Sequence, residues 1–142
     1  MGAASPQPPA WLVYDGAPPE PDGVPVSGGA SRTRAGLHET LAGSLALPGW
    51  YGRNWDALAD ALADRLDSGP LTLVVTDAAD LLADEPPAQL GTLLDVLGAV
   101  AAGGHETLRV VLRDDPDRLR ALRDRVAAVL GGRVGAPPPA TG

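Results

Sequence analysis

Hydrophobic positions along the chain follow two alternating rhythms. Leu71-Thr-Leu-Val-Val-Thr76 is a nearly continuous apolar run, rich in β-branched residues and bounded by turn signals. That is the pattern of a strand buried on both faces. Leu108-Arg-Val-Val-Leu112 repeats it, and Trp11-Leu-Val-Tyr14 is a shorter version stopped by Asp15-Gly16. Elsewhere the apolar spacing lengthens to the helical period. Leu37, Leu41 and Leu45 make residues 33–46 an amphipathic helix, ended by Pro48-Gly49. Asn54 can cap a second helix, residues 55–67, because its side-chain oxygen can accept an orphan backbone N–H. Ser68-Gly69-Pro70 stops that helix, and Asp77 reads as the cap of a short helical turn reaching Leu82. Asp84-Glu-Pro-Pro87 opens a helix over 88–102, with Leu90, Leu93, Leu94, Leu97 and Val100 inward and Gly103-Gly104 at its end. Asp115-Pro116 opens a last helix, with Leu119, Leu122, Val126, Val129 and Leu130 on its apolar face.

Parallel strands need crossovers, and the alternation of strands with helices supplies them. The expected architecture is α/β: a three-stranded parallel sheet from about 11–14, 71–76 and 108–112, with helices packed against it. Residues 15–31 are rich in Pro and Gly and read as a long loop. Val24-Pro-Val26 within it is a candidate edge strand that Pro25 demotes. Residues 1–10 and 131–142 carry almost no large apolar side chains and read as disordered tails. A single domain over 11–130 remains.

Composition narrows the chemistry. The formal net charge is −7, all eleven basic residues are Arg, and there is no Cys. Without Lys there is no phosphate-binding loop of the Walker type and no Schiff-base chemistry; without Cys there is no disulfide or thiolate. An acidic chain binds nucleic acid poorly, because that affinity rests on Lys and Arg. No apolar run approaches a membrane span, and no basic stretch followed by an apolar one opens the chain, so the expected location is the cytoplasm. The expected partner is a basic protein, with no nucleic acid, membrane or cofactor.

The segment 48–67, PGWYGRNWDALADALADRLD, carries the most information. At 100° per residue, Trp55, Leu58, Leu62 and Leu66 fall within roughly 80° of one another and form a core stripe. Asp56, Asp60, Asp64 and Asp67 occupy another sector, also roughly 80° wide, pointing away from the core with no cation between them. On charge pattern alone this sector is equally well a solvated face. The approach to the helix decides for an interface. Trp50 and Tyr51 precede Gly52, whose presence implies a backbone that bends or comes close to something. Large aromatics beside an acidic helix, in a chain without a single Phe, read as an interface anchor. Burial is expected for Tyr51 more than for Trp50.

LALPGWYGRNWDALADAL resembles the barstar family of intracellular ribonuclease inhibitors. The pattern that carries the resemblance is Pro48, Trp50, Tyr51, Gly52, Asn54, Asp56, Ala57, Leu58 and Asp60, and Leu37-His-Glu-Thr-Leu41 looks like the family's first helix. The resemblance implies a parallel three-stranded sheet, and an acidic helix with its preceding loop plugging the cationic active site of a secreted ribonuclease. The carboxylates would stand in for RNA phosphates. The implied partner-binding residues are Trp50, Gly52, Asn54, Asp56, Ala59, Asp60 and Asp64. Departures from the family are Ala59, where a large aromatic is common; Arg65, near the helix end where another aromatic occurs; and an uncharged Gly98-Ala-Val-Ala-Ala102 where the later helix usually offers an acid. The C-terminal helix is also an addition to the family pattern.

Other constellations are weaker. His38, expected half exposed in its helix, and His105, in a Gly-rich turn, have no second ligand at metal spacing. Asp77, Asp80, Asp84 and Glu85 follow a strand, where open α/β sheets bind ligands, and could hold Mg²⁺ for phosphoester chemistry. Capping and solvation explain them more simply. Arg118, Arg120, Arg123 and Arg125 give the last helix a basic side, able to pair with the chain's own acids or dock a neighbour. The primary expectation is therefore a binding module rather than an enzyme.

Overall fold

A computed structural model describes residues 10–15, 23–103 and 106–134, with side chains through Val129. His105 and most of the expected tails lie outside the described residues. The elements run β1 (Leu12–Asp15), β2 (Val24–Ser27), α1 (Arg34–Ser44), α2 (Trp55–Leu66), β3 (Leu71–Thr76), a 3₁₀ turn (Ala78–Asp80), α3 (Pro87–Gly103), β4 (Leu108–Arg113) and α4 (Pro116–Val134). All strands pair in parallel, in the order β1-β4-β3-β2.

The sheet has four strands rather than the expected three, because Val24–Ser27 does pair with β3. Pro25 is tolerated because β2 is an edge. Its carbonyl accepts a hydrogen bond from the Ser44 hydroxyl at 2.7 Å, so the polar side of this residue faces α1 and not the ladder. The missing N–H removes no sheet hydrogen bond there.

One face of the sheet, through Leu12, Val26, Leu73, Val75, Val110 and Leu112, shares a single core with apolar residues of all four helices. In α2, Leu58, Leu62 and Leu66 are fully buried, as the helical period requires. This fixes the Asp sector outward, since it lies on the opposite side of the same helix. Asn54 caps α2 by accepting from the Ala57 N–H at 2.8 Å, and Asp115 caps α4 by accepting from the Arg118 N–H at 2.9 Å. Helix α4 continues to Val134, four residues beyond the expected domain end. Among the described residues no helix is long and apolar enough to cross a membrane.

Asp77 does not cap the following turn. Its backbone is left-handed, with φ 48°, and its side chain makes no cap bond. The turn is held instead by Asp114, whose carboxylate accepts from the Ala79 N–H at 3.0 Å.

Helix α1 ends in two reversed bonds, Leu47 N–H to Ala42 C=O at 2.9 Å and Ala46 N–H to Gly43 C=O at 3.3 Å. That arrangement needs a left-handed residue after the helix, a place usually taken by Gly. Here it is Ala46, at φ 51°. A Cβ in this conformation costs about 1–2 kcal/mol, of which Gly returns part to unfolded-chain entropy. Ala46→Gly is therefore expected to raise stability by about 0.5–1 kcal/mol. Urea denaturation midpoints of the two chains test it, and an unchanged or lower midpoint would refute the strain.

Candidate functional site

The loop joining α1 to α2 begins with a turn closed by the Tyr51 N–H on the Pro48 carbonyl at 2.9 Å. Its two adjacent aromatics have opposite fates. Tyr51 is 4% exposed and Trp50 is 82% exposed, the large apolar residue that stands out on the described surface. Tyr51 is drawn in by His38 of α1, whose Nδ1 lies 2.6 Å from the phenol oxygen. His38 is not half exposed as expected but buried, with the Trp55 ring 5.1 Å away, centre to centre. The loop folding over α1 closes it off, which the α1 periodicity alone does not reveal.

The remainder of the loop is bonded in place. Arg53, at φ 50°, sends Nε to Glu39 on α1 and another guanidinium N–H to the Tyr51 carbonyl at 3.1 Å. The Asn54 amide donates to the Gly52 carbonyl at 3.3 Å while its oxygen caps α2. A Cβ on Gly52 would stand 3.2 Å from that amide nitrogen and 3.4 Å from the Ala57 methyl. The glycine thus serves a close approach, here to its own helix start.

Between this loop and α2 lies a groove of about 450 Å³. Leu45, Leu47, Pro48 and Trp50 form one wall, and Ala57, Asp60, Ala61 and Asp64 form the other. Of the residues singled out from sequence, Trp50, Gly52, Asp60 and Asp64 therefore meet along one surface. Asp56 is exposed on the first turn of α2, and Asn54 is exposed while serving as cap. Ala59 does not line the groove; it is half-buried against the core on the other flank of the helix. Leu45 and Leu47 are site residues that sequence reasoning misses. Their only signal is position, since they lead directly into the aromatic loop.

Charge is distributed unevenly. Among the described residues no cation pairs with Asp56, Asp60 or Asp64. Arg65, at the groove's end, turns its guanidinium to the Gly69 and Pro70 carbonyls at 3.2 and 3.5 Å. At the carboxyl ends of the strands the opposite holds. Arg32 bridges Asp80 at 2.8 Å and Asp84 at 2.9 Å, and Arg118 joins Asp80 at 3.1 Å to Asp114 at 2.9 Å. The hydrogen bond from Arg32 holds the Asp84 carboxyl below the usual range. A Mg²⁺ ion at the acids after β3 would have to displace these guanidinium groups. The basic side of α4 is also largely engaged within the chain. Arg118 is paired as described, Arg125 donates to the Ala79 and Leu81 carbonyls at 3.1 and 3.0 Å, and Arg123 stacks 4.7 Å over the Tyr14 ring.

The uncharged stretch of α3 faces elsewhere than expected. Gly98, Ala101 and Ala102 border a separate cleft with Trp11 and Arg109, away from the groove. A Cβ on Gly98 would lie 3.5 Å from the Trp11 ring, so the helix is flat there to seat the indole.

His38 couples this site to pH. Burial lowers its pKa below the ordinary 6.5, and Arg34 of α1 and Arg53 of the loop push the same way. Its Nε2 is buried without a partner, so an added proton would find no acceptor there. Burial, opposed by Arg53, pushes the Tyr51 phenol up to about 12, so it stays neutral throughout. A folded-state pKa below the unfolded value means that the unfolded chain binds the extra proton more readily. Stability is then present above the ordinary His pKa and is lost as pH falls through it, until the folded pKa is reached. Urea midpoints of the wild-type chain are expected to fall more than those of His38→Gln between pH 7.5 and 5 (about one unit either side of the ordinary value). Parallel curves over that window would refute the coupling.

A family model described as Barstar (barnase inhibitor) matches residues 23–124, which takes in every element from β2 through β4 and the first half of α4. No curated protein matches the chain significantly.

Proposed function

The chain belongs to the barstar family, and on that premise we propose that it inhibits a basic ribonuclease, or a related toxin, by covering the cationic active site. The observation that carries this reading is the groove-side face of α2. Its carboxylates are left without internal counter-charges, while acids elsewhere on the chain are paired with Arg. Like charges four residues apart repel by about 0.2–0.5 kcal/mol per pair, a cost with no return inside the free protein. Against a site built to bind phosphates, the same charges attract and steer.

In this reading Asp56 and Asp60 meet basic groups of the partner. Trp50 and the Gly52–Asn54 backbone supply shape, and the small Ala59 leaves room on the far flank for a partner side chain. The chain acts by binding, in the cytoplasm, before the partner is exported. The direct test is capture from lysate and secreted fraction with this chain as bait, followed by an RNA-hydrolysis assay of the captured protein. Expected is a basic protein that cleaves RNA alone and is silenced by one equivalent of the chain. Captured proteins without ribonuclease activity, together with barnase left fully active by excess chain, would refute the function.

The acidic face predicts an asymmetry between two of its members. Asp60 lies beside the aromatic loop and Asp67 at the far end of α2, and both are exposed. Asp60→Ala is expected to weaken the complex by about 2–5 kcal/mol, because it strands a desolvated cation of the partner. That range is the general cost of truncating one member of a buried interfacial charge pair, and barnase–barstar is among the complexes that define it. Asp67→Ala should change mainly the association rate. Titration calorimetry of both variants, with a melt of each alone, decides. Equal losses, or an Asp60→Ala chain that no longer folds, would count against α2 as the binding surface.

A further inference from the structure

We propose that the groove between the aromatic loop and α2 is a subsite for one arginine side chain of the partner, with Asp64 as its second carboxylate and the Trp50 indole as its stacking wall. This rests on the reading of the partner as a basic protein, and it adds a contact on the flank of the helix beside Asp60.

The geometry is specific to that occupant. Asp60 and Asp64 are one turn apart on α2, which sets their side chains side by side, roughly 5–6 Å between Cβ atoms. Ala57 and Ala61 run parallel to them along the same wall, and their methyl groups leave the space open. Leu47, Pro48 and Trp50 oppose them. A side chain entering here meets apolar surface along its length and two carboxylates at one side. An arginine satisfies both parts. Its methylene stem lies on the aliphatic wall, and its planar head stacks on the indole while its N–H fork reaches both carboxylates. A lysine offers a compact, strongly hydrated charge that neither stacks nor forks.

Charge complementarity excludes an apolar occupant, because covering Asp60 and Asp64 without a cation would strand two carboxylates. The chain's own candidate cation is Arg65. It borders the groove, yet its guanidinium is spent on the Gly69 and Pro70 carbonyls at the end of α2. It closes the groove at that end and limits it to one incoming cation.

The test uses the full chain and three probes, N-acetyl methylamides of arginine, lysine and citrulline, followed by NMR of the Trp50 indole N–H and the amides of residues 60–64. Expected is a saturable shift with the arginine probe, weaker by about threefold or more for Asp64→Asn and for the lysine probe, and absent with the neutral citrulline probe. Trp50→Leu should weaken arginine while leaving the lysine probe nearly unchanged. No saturable shift with arginine overturns the subsite, as does an equal response to citrulline. A Trp50 signal that moves with protein concentration alone would give the groove to a second copy and overturn it too. The two readings separate cleanly. Ribonuclease inhibition without arginine binding sinks the subsite alone, and arginine binding without ribonuclease inhibition upholds the subsite and sinks the function.

Discussion

The hydrogen bond between the Tyr51 phenol and His38 fixes the loop against helix α1, and the site is arranged around it. A buried phenol without a partner costs about 1–3 kcal/mol, so the ring enters the core only where an acceptor or donor waits. His38 is that partner, one residue after the core Leu37 and three before the core Leu41. With Tyr51 anchored inward, the neighbouring Trp50 is left on the outside of the turn, at the mouth of the groove. The exposed indole is thus a consequence of the buried phenol. The same anchoring brings the loop up to the N-terminus of α2, where Asn54 both caps the helix and binds back to Gly52.

Electrostatics divide the molecule into two ends. Where the strands terminate, Arg32 and Arg118 knit Asp80, Asp84 and Asp114 into a network that ties the β2–α1 loop, the 3₁₀ turn and the start of α4 together. In open α/β sheets that end is the usual ligand site. Here the chain's own guanidinium groups occupy its acids. On α2 no such neutralisation occurs along Asp56, Asp60 and Asp64. With a net charge of −7, the chain has too few arginines to pair every acid, and their placement leaves one surface negative. Cations are concentrated where they join elements and are missing where a partner would supply them.

Legibility from sequence follows the range of the interaction. Periodicity locates all four helices and three of the strands to within a few residues, because core burial repeats along each element. The Asn54 and Asp115 caps are readable because a cap bond spans only three residues. Tyr51 inside and Trp50 outside is also as expected, and the groove contains four of the seven residues singled out. What escapes are features decided by distant neighbours. Pro25 argues against a strand, but its edge position and the Ser44 hydroxyl of α1 make it acceptable. His38 reads as half exposed because the loop that covers it lies 13 residues further along the chain. Asp77 reads as a cap, but Asp114, 35 residues beyond Ala79, holds that turn. Ala59 comes from the family pattern, and the helix rotation puts it on the flank away from the groove.

The loop's conformation also bears on how tightly such a surface can bind. Arg53 is held in left-handed backbone that costs of order 1–3 kcal/mol for a residue with a Cβ. Its bonds to Glu39 and to the Tyr51 carbonyl offset that cost in the free protein, before any partner arrives. Immobilising a flexible side chain or loop on association costs about 0.5–1.5 kcal/mol for each rotamer-rich group. A loop already pinned by Tyr51, Arg53 and Asn54 avoids most of that cost, so its contacts can contribute to affinity nearly in full. The carboxylates of α2 benefit in the same way, since Asp and its short side chain lose little freedom on docking. A short acid on a rigid helix, beside a loop strained into place in advance, suits a surface that must match a fixed cationic site. A flexible acidic tail of the same charge would reach the same phosphate-binding groups and give up much of the attraction in ordering itself.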